Sequence, residues 1–233
     1  MNVLLGIGAQ KSGTAWIHQH LQRHPEIGFP GGKEVHFWDK RRHLGVDWYR
    51  SLLASAGRQV AADITPRYAM LPPETIREIH ACLPDARIVM VIRHPVERAW
   101  SAIRMWMQRD GRTAETVDRA WYEAAMQRDQ CIERGEYERQ LRDWHASYPP
   151  GQVLVLRYEA IADDPHGVLC ACCRHAGVTC TADAADPALW ERTRAGIAAP
   201  IPDWLRDRLH RHYAPTIPPL ADYLGIDLSS WMR

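Results

Sequence analysis

GIGAQKSGTAW, residues 6–16, follows a short apolar run and leads into IHQHLQRH. NVLLGIG reads as a buried strand, and SGTAWIHQHLQRH as a helix whose apolar Ile17 and Leu21 stand four apart. Strand, glycine turn and helix together make an anion seat. The first N–H groups of a helix have no acceptor within it and carry a partial positive charge, and glycines let the backbone curl around a ligand there. The nucleotide-triphosphatase loop, GxxxxGK[ST], places its lysine directly after the second glycine. Here Lys11 stands two residues before Gly13, so the string is either another kind of phosphate loop or an ordinary turn with a solvated lysine.

Outward from this unit, QVAADIT (59–65) is a second strand ended by Pro66, and PPETIREIHACLP is a helix with Pro72 or Pro73 near its start. ARIVMVIRH is a continuous apolar run bounded by Asp85 and by His94-Pro95, the pattern of a central parallel strand covered on both faces. A helix follows through VERAWSAIRMWMQRD, and the pattern stays helical from Ala114 to about His145 with a break near Gly135. QVLVLRYE (152–159) is a last strand after a PPG turn. Thr179 to Pro202, rich in Ala, Asp and Pro, reads as a loop before a final helix through DWLRDRLHRHY. Strands alternating with helices predict an α/β fold, P-loop-like and three-layered, with a central parallel sheet flanked by helices. A length of 233 residues with 46% hydrophobic content suits a single domain over 1–233.

A net charge of +1 gives no global basic field for nucleic acid, so any anion site is local. No apolar run nears the ~18 residues of a membrane span, and MNVLLGIGAQ lacks the basic start and long apolar stretch of a secretory signal. A cytoplasmic protein is expected. The six cysteines, Cys82, Cys131, Cys170, Cys172, Cys173 and Cys180, show neither paired CxxC motifs nor the density of a disulfide scaffold, which predicts reduced thiols. CACC (170–173) has no matching Cys/His pair at finger-like spacing, so it reads as small packing residues on a helix, with no metal.

QKSGTAW resembles the 5′-phosphosulfate loop of the sulfotransferases that use 3′-phosphoadenosine 5′-phosphosulfate (PAPS). VIRHPVERAWSAIR resembles their 3′-phosphate motif, with Arg93 and Ser101 eight residues apart. GGKEVHFWD (31–39), VDWYRSLL (46–53), ITPRY (64–68), GEYERQLRDWHASYP (135–149) and VLVLRYEAIADDP (153–165) are similar to the carbohydrate-modifying branch, that of the heparan sulfate sulfotransferases and their bacterial relatives. The likeness runs from about residue 4 to 165. It implies transfer of a sulfuryl group from PAPS to a hydroxyl or amine of a glycan, lipid or secondary metabolite.

Sulfuryl transfer asks for in-line approach, a charged leaving group and electrostatic support rather than covalent work by the protein. By resemblance, Lys11 neutralises charge on the bridging oxygen, Ser12, Gly13 and Thr14 hold the 5′-phosphate, and Trp16 stacks on the adenine. Ala15 stands where many relatives have a second hydroxyl, so one phosphate hydrogen bond of about 1 kcal/mol is missing. Arg93 offers a planar fork to two phosphate oxygens and Ser101 a hydroxyl to the same group. Arg192, Arg194 and Gly196 in ERTRAGI resemble the late segment that closes over the 3′-phosphate. Glu34 is the implied general base and His36 its rival. Asp39 lies near both in the acceptor site, and an extended segment would put Glu34 and His36 on one side.

Two departures stand out. Ile64 replaces the lysine that precedes Thr-Pro in the heparan branch, which counts against a highly sulfated polysaccharide, and the short tail lacks that branch's paired cysteines and long acceptor loop. The alternative of a P-loop kinase or nucleotide hydrolase is opposed by the missing GK[ST] loop and by ARIVMVIRH ending in arginine where a magnesium-binding acid would sit. A catalytically dead module would require the loss of Lys11 or Glu34, and both are present.

Overall fold

A computed structural model describes residues 2–191 and 199–232. In chain order the first half contains β1 (Asn2–Gly8), α1 (Thr14–Leu21), β2 (Ile27–Gly28), α2 (Val46–Ala54), β3 (Val60–Ile64), α3 (Pro73–Cys82), β4 (Arg87–Ile92) and α4 (Pro95–Arg109). The second contains α5 (Arg119–Gln127), α6 (Tyr137–His145), β5 (Val153–Arg157), α7 (Tyr158–Asp163), α8 (Pro165–Ala176), α9 (Asp203–Tyr213) and α10 (Ile217–Leu224). By contact the chain groups into two compact units, Met1–Ile92 with Arg142–Thr193, and Arg93–Leu141 with Arg194–Arg233.

The first unit is built on the expected parallel sheet, in the order β2-β3-β1-β4-β5. Leu4 pairs with Ala62 on one side and Arg87 on the other, and Leu5 with Asp63 and Ile88. The three inner strands are almost wholly buried, which is why they read as unbroken apolar runs rather than alternating ones. Trp16, Ile17 and Leu21 of α1 and Val168, Leu169, Cys172 and Cys173 of α8 share a core with Leu4, Ile64 and Val91. His175 of α8 is pinned to the sheet, its Nε2 3.0 Å from the Ile88 carbonyl and 3.1 Å from that of Gln152. β5 stops at Arg157 and the chain turns helical at Tyr158, two residues earlier than the apolar run predicts.

The connection after β1 runs to the β2–β3 side of the sheet, and that after β4 leads on to β5 on the other side. Parallel sheets open a ligand crevice at the carboxyl ends of strands where the winding diverges in this way. The GIGAQKSG turn leaves β1 at that edge.

In the second unit, Val96, Ala99, Trp100, Ile103 and Met107 of α4 pack with Leu205, Leu209 and Tyr213 of α9. The helical stretch expected from Ala114 to about His145 with a break near Gly135 is two short helices, α5 and α6, with a wider gap between them than a break at Gly135 alone. Asp129 and Gln130 sit at φ 49° and 54°, a left-handed pair that no helix continues through, and Arg134 bonds both the carbonyl and the carboxylate of Asp129. The break near Gly135 has its own cause, since a Cβ there would lie 2.7 Å from the Tyr213 ring.

The cysteines correct two expectations. Cys170 and Cys180 form a disulfide, so neither uniformly reduced thiols nor a lack of paired cysteines holds. The spacing was no guide because the bond joins a helix to the loop after it. Cys172 and Cys173 do pack in the core. No described helix is long and apolar enough to cross a membrane.

Candidate active site

Lys11 holds φ 69° in the loop between β1 and α1, and Gly13 caps the helix at φ 90°. A Cβ on Gly13 would lie 2.5 Å from Ile161 Cδ1 and 3.1 Å from Tyr158 Cδ2, so glycine is required by both backbone and space. Trp16 and Ile17 N–H donate to the Gly13 carbonyl, while by helix geometry those of Thr14 and Ala15 have no acceptor inside the helix. Ser12 is fully buried, and its Oγ has no hydrogen-bond partner among the described residues. A buried hydroxyl without a partner at a helix N-terminus fits a phosphate oxygen that would complete it.

Trp16 is 4% exposed, its indole N–H donates to the Leu189 carbonyl at 3.1 Å, and its ring lies 4.6 Å from that of His20. The ring is spent on the core between α1 and the turn at Pro187–Trp190.

The KEVHFWD block supplies a carboxylate network. Lys33 Nζ bonds Glu34 Oε1, His36 Nε2 lies 3.3 Å from Glu34 Oε2, and His36 Nδ1 lies 2.8 Å from Asp39 Oδ2. Both ring nitrogens of His36 face carboxylate oxygens, so the imidazole is fixed at both ends. Burial alone would push the Glu34 carboxyl up. The hydrogen bond and charge of Lys33, with the charge of His36, outweigh it and hold the group below its ordinary value. Glu34, His36 and Asp39 thus lie together, but by another route than an extended segment. Glu34 and His36 both adopt left-handed φ, 66° and 56°, and Phe37–Arg41 forms a π-helical turn that returns Asp39 to His36.

Such a backbone persists only if its surroundings hold it, and buried Asp63 does so. Its carboxylate accepts from Tyr49 OH at 2.9 Å, Thr65 Oγ1 at 2.6 Å, Tyr68 OH at 3.0 Å and the Val35 N–H at 3.4 Å. Thr65 Oγ1 in turn accepts from the His36 N–H, 3.3 Å, and Tyr68 OH from the Phe37 N–H, 2.9 Å. Burial pushes the Asp63 carboxyl up, and these donors oppose it. Sequence reading passed over Lys33, Asp63 and Tyr68. The signal available was an acid inside the otherwise apolar VAADI.

Arg93 and Ser101 belong to the second unit. Arg93 directly follows β4, its side chain is 15% exposed, and its Nη2 lies 3.7 Å from Glu97 Oε2. Its peptide is gripped by Tyr137, whose OH donates to the Arg93 carbonyl at 2.8 Å. Ser101 is half-buried on the second turn of α4. Arg192, Arg194 and Gly196 lie outside the described residues.

Residues 71–183 match the family model described as "Sulfotransferase family". The mouse heparan sulfate glucosamine 3-O-sulfotransferase 3B1 is 30% identical over 176 residues, covering 70% of this chain and 43% of that protein. The human bifunctional heparan sulfate N-deacetylase/N-sulfotransferase 2 is 26% identical over 74% of this chain and 22% of its own. Among solved structures, a sulfotransferase from Alicyclobacillus acidocaldarius superposes with TM-score 0.78 and 25% identity over 99% of this chain and 98% of that one. The chain belongs to the sulfotransferase family. It spans less than half the length of the first curated relatives it matches.

Proposed function

We propose that this chain transfers a sulfuryl group from PAPS to a hydroxyl or amine of a glycan, lipid or secondary-metabolite acceptor, by in-line displacement with Glu34 as general base. The observation that carries the reading is the Lys33–Glu34–His36–Asp39 network: a reachable carboxylate kept ionised by its neighbours, on a block whose backbone is bonded to buried side chains. Relatives named as heparan sulfate sulfotransferases support a glycan acceptor. A neighbour titled as a sulfotransferase domain of the curacin biosynthetic pathway, at 17% identity, supports the fold alone.

When bound, PAPS supplies the sulfuryl group and the adenosine bisphosphate that leaves. The loop fits it through the partnerless Ser12 hydroxyl, the N–H groups of Thr14 and Ala15, and the Lys11 ammonium, which neutralises charge on the leaving oxygen. Gly13 leaves the backbone room to curl. Arg93 and Ser101 are assigned the 3′-phosphate, a role that the resemblance extends to Arg192, Arg194 and Gly196. Glu34 takes the acceptor's proton, and His36, held by Asp39, orients Glu34 and receives the acceptor. The proposed reaction needs no metal, and the proposed setting is the cytoplasm.

The product 3′-phosphoadenosine 5′-phosphate should raise the melting temperature in EDTA, by linkage worth about 2.7 kcal/mol at a hundred times Kd, while ATP with magnesium does little. The reverse pattern would favour the kinase or hydrolase reading. Glu34→Gln should cut turnover roughly 100-fold or more with nucleotide binding nearly unchanged. Normal turnover in that variant would move the base to His36.

A further inference from the structure

A histidine stands beside the one disulfide among the described residues. His166 precedes Cys170 by one turn of α8, the spacing that puts two side chains on one helix face. Its Nε2 lies 3.5 Å and its Nδ1 3.9 Å from Cys170 Sγ. Cys180 reaches the same point from the loop after α8, and one ligand atom from each of the three residues lies within 4.8 Å of the others. Bonds of about 2.0–2.3 Å to one tetrahedral ion separate its ligand atoms by roughly 3.5–3.8 Å. The ring is already oriented, because Nε2 lies 3.2 Å from the Ala182 carbonyl. An Nε2–H donated there leaves the Nδ1 lone pair for an ion. A purely structural disulfide has no use for an oriented imidazole, whereas a pair of thiolates does. All three residues are half-buried, within reach of a reductant, an ion and water.

We propose that His166, Cys170 and Cys180 form a thiol-gated zinc site. A dithiol reductant is oxidised to its disulfide as the Cys170–Cys180 bond takes up two electrons and two protons. Zinc then binds the two sulfurs as thiolates and the neutral imidazole, releasing both protons, and water completes the tetrahedron. In either redox state α8 stays tied to the loop that carries Leu189, the residue whose carbonyl holds Trp16. The site does not depend on the sulfuryl-transfer reading.

The test uses the full chain reduced with a phosphine, desalted without oxygen, and incubated with zinc, with metal content read by mass spectrometry. A single zinc ion per reduced chain, none on the oxidised chain, and a zinc-dependent rise in melting temperature only after reduction are expected. Cobalt in place of zinc should give thiolate charge-transfer bands and tetrahedral d–d bands on the unmodified protein, which needs no variant to fold. His166→Ala and Cys180→Ser should lose the ion and those bands, and Cys82→Ser should keep both. A reduced chain that takes up no zinc, or full retention in His166→Ala and Cys180→Ser, would overturn the site.

Discussion

Glu34 lies between the Lys33 ammonium and the His36 ring, and its protonation is decided by these neighbours against its own partial burial. Because the balance lies below the ordinary carboxylate value of 4.5, the carboxyl proposed as the base stays ionised as pH falls toward that value. The acid limb of kcat/KM should therefore lie below it. Lys33→Met removes the larger opposing influence and leaves burial less opposed, so the limb should move to higher pH while the alkaline side stays put. An unmoved limb would mean that the limb reports another group. Asp39→Asn removes the carboxylate from the Nδ1 side of the His36 ring and should lower kcat by roughly 10-fold or more, with KM for the nucleotide unchanged. Glu34, His36 and Asp39 were all legible in KEVHFWD as residue types at a spacing. Lys33 was not, because which of two adjacent charged side chains turns toward the other depends on the left-handed φ at Glu34, and nothing in a string of non-glycine residues announces that.

The chain that leads into the π-helical turn has no regular hydrogen bonding of its own, and the N–H groups of Val35, His36 and Phe37 are satisfied by side chains on and just after β3. Tyr68→Phe deletes both the acceptor for the Phe37 N–H and a donor to Asp63, each loss of a buried partner costing about 1–3 kcal/mol. Urea unfolding should show a loss in the upper part of that range, and turnover should fall further than nucleotide affinity because the base is displaced. Asp63→Ala strips the acceptor from four donors, at about 1–3 kcal/mol for each one left buried without a partner, and should destabilise by more than Tyr68→Phe. β1, β3 and β4 were readable because burial on both faces writes itself as an apolar run, and α9 because DWLRDRLHRHY keeps a helical period. The two-residue β2 was not, being too short for any period, and the left-handed pair after α5 was hidden by residues that favour helix on either side.

For the whole chain, the Cys170–Cys180 bond closes a loop of sequence separation 10. The chain-entropy account gives about 2.5–3 kcal/mol for a loop of that size. Reduction in EDTA should lower the free energy of unfolding by that amount with the denaturant slope nearly unchanged, and a negligible loss would show that the unfolded chain already holds these residues together. Sequence spacing alone could not show this bond, since the partners are brought together by where α8 ends against the loop that follows.

β2 ends the sheet with only Ile27 and Gly28 paired to β3. An extended segment of another molecule laid along that margin would find a template far shorter than the ~5–6 residues of an ordinary strand, too little to repay its ordering. Crowded copies of this chain thus gain almost nothing by joining ladders on that side, and Pro25 and Pro30, which flank the pair, discourage fibre growth from it further.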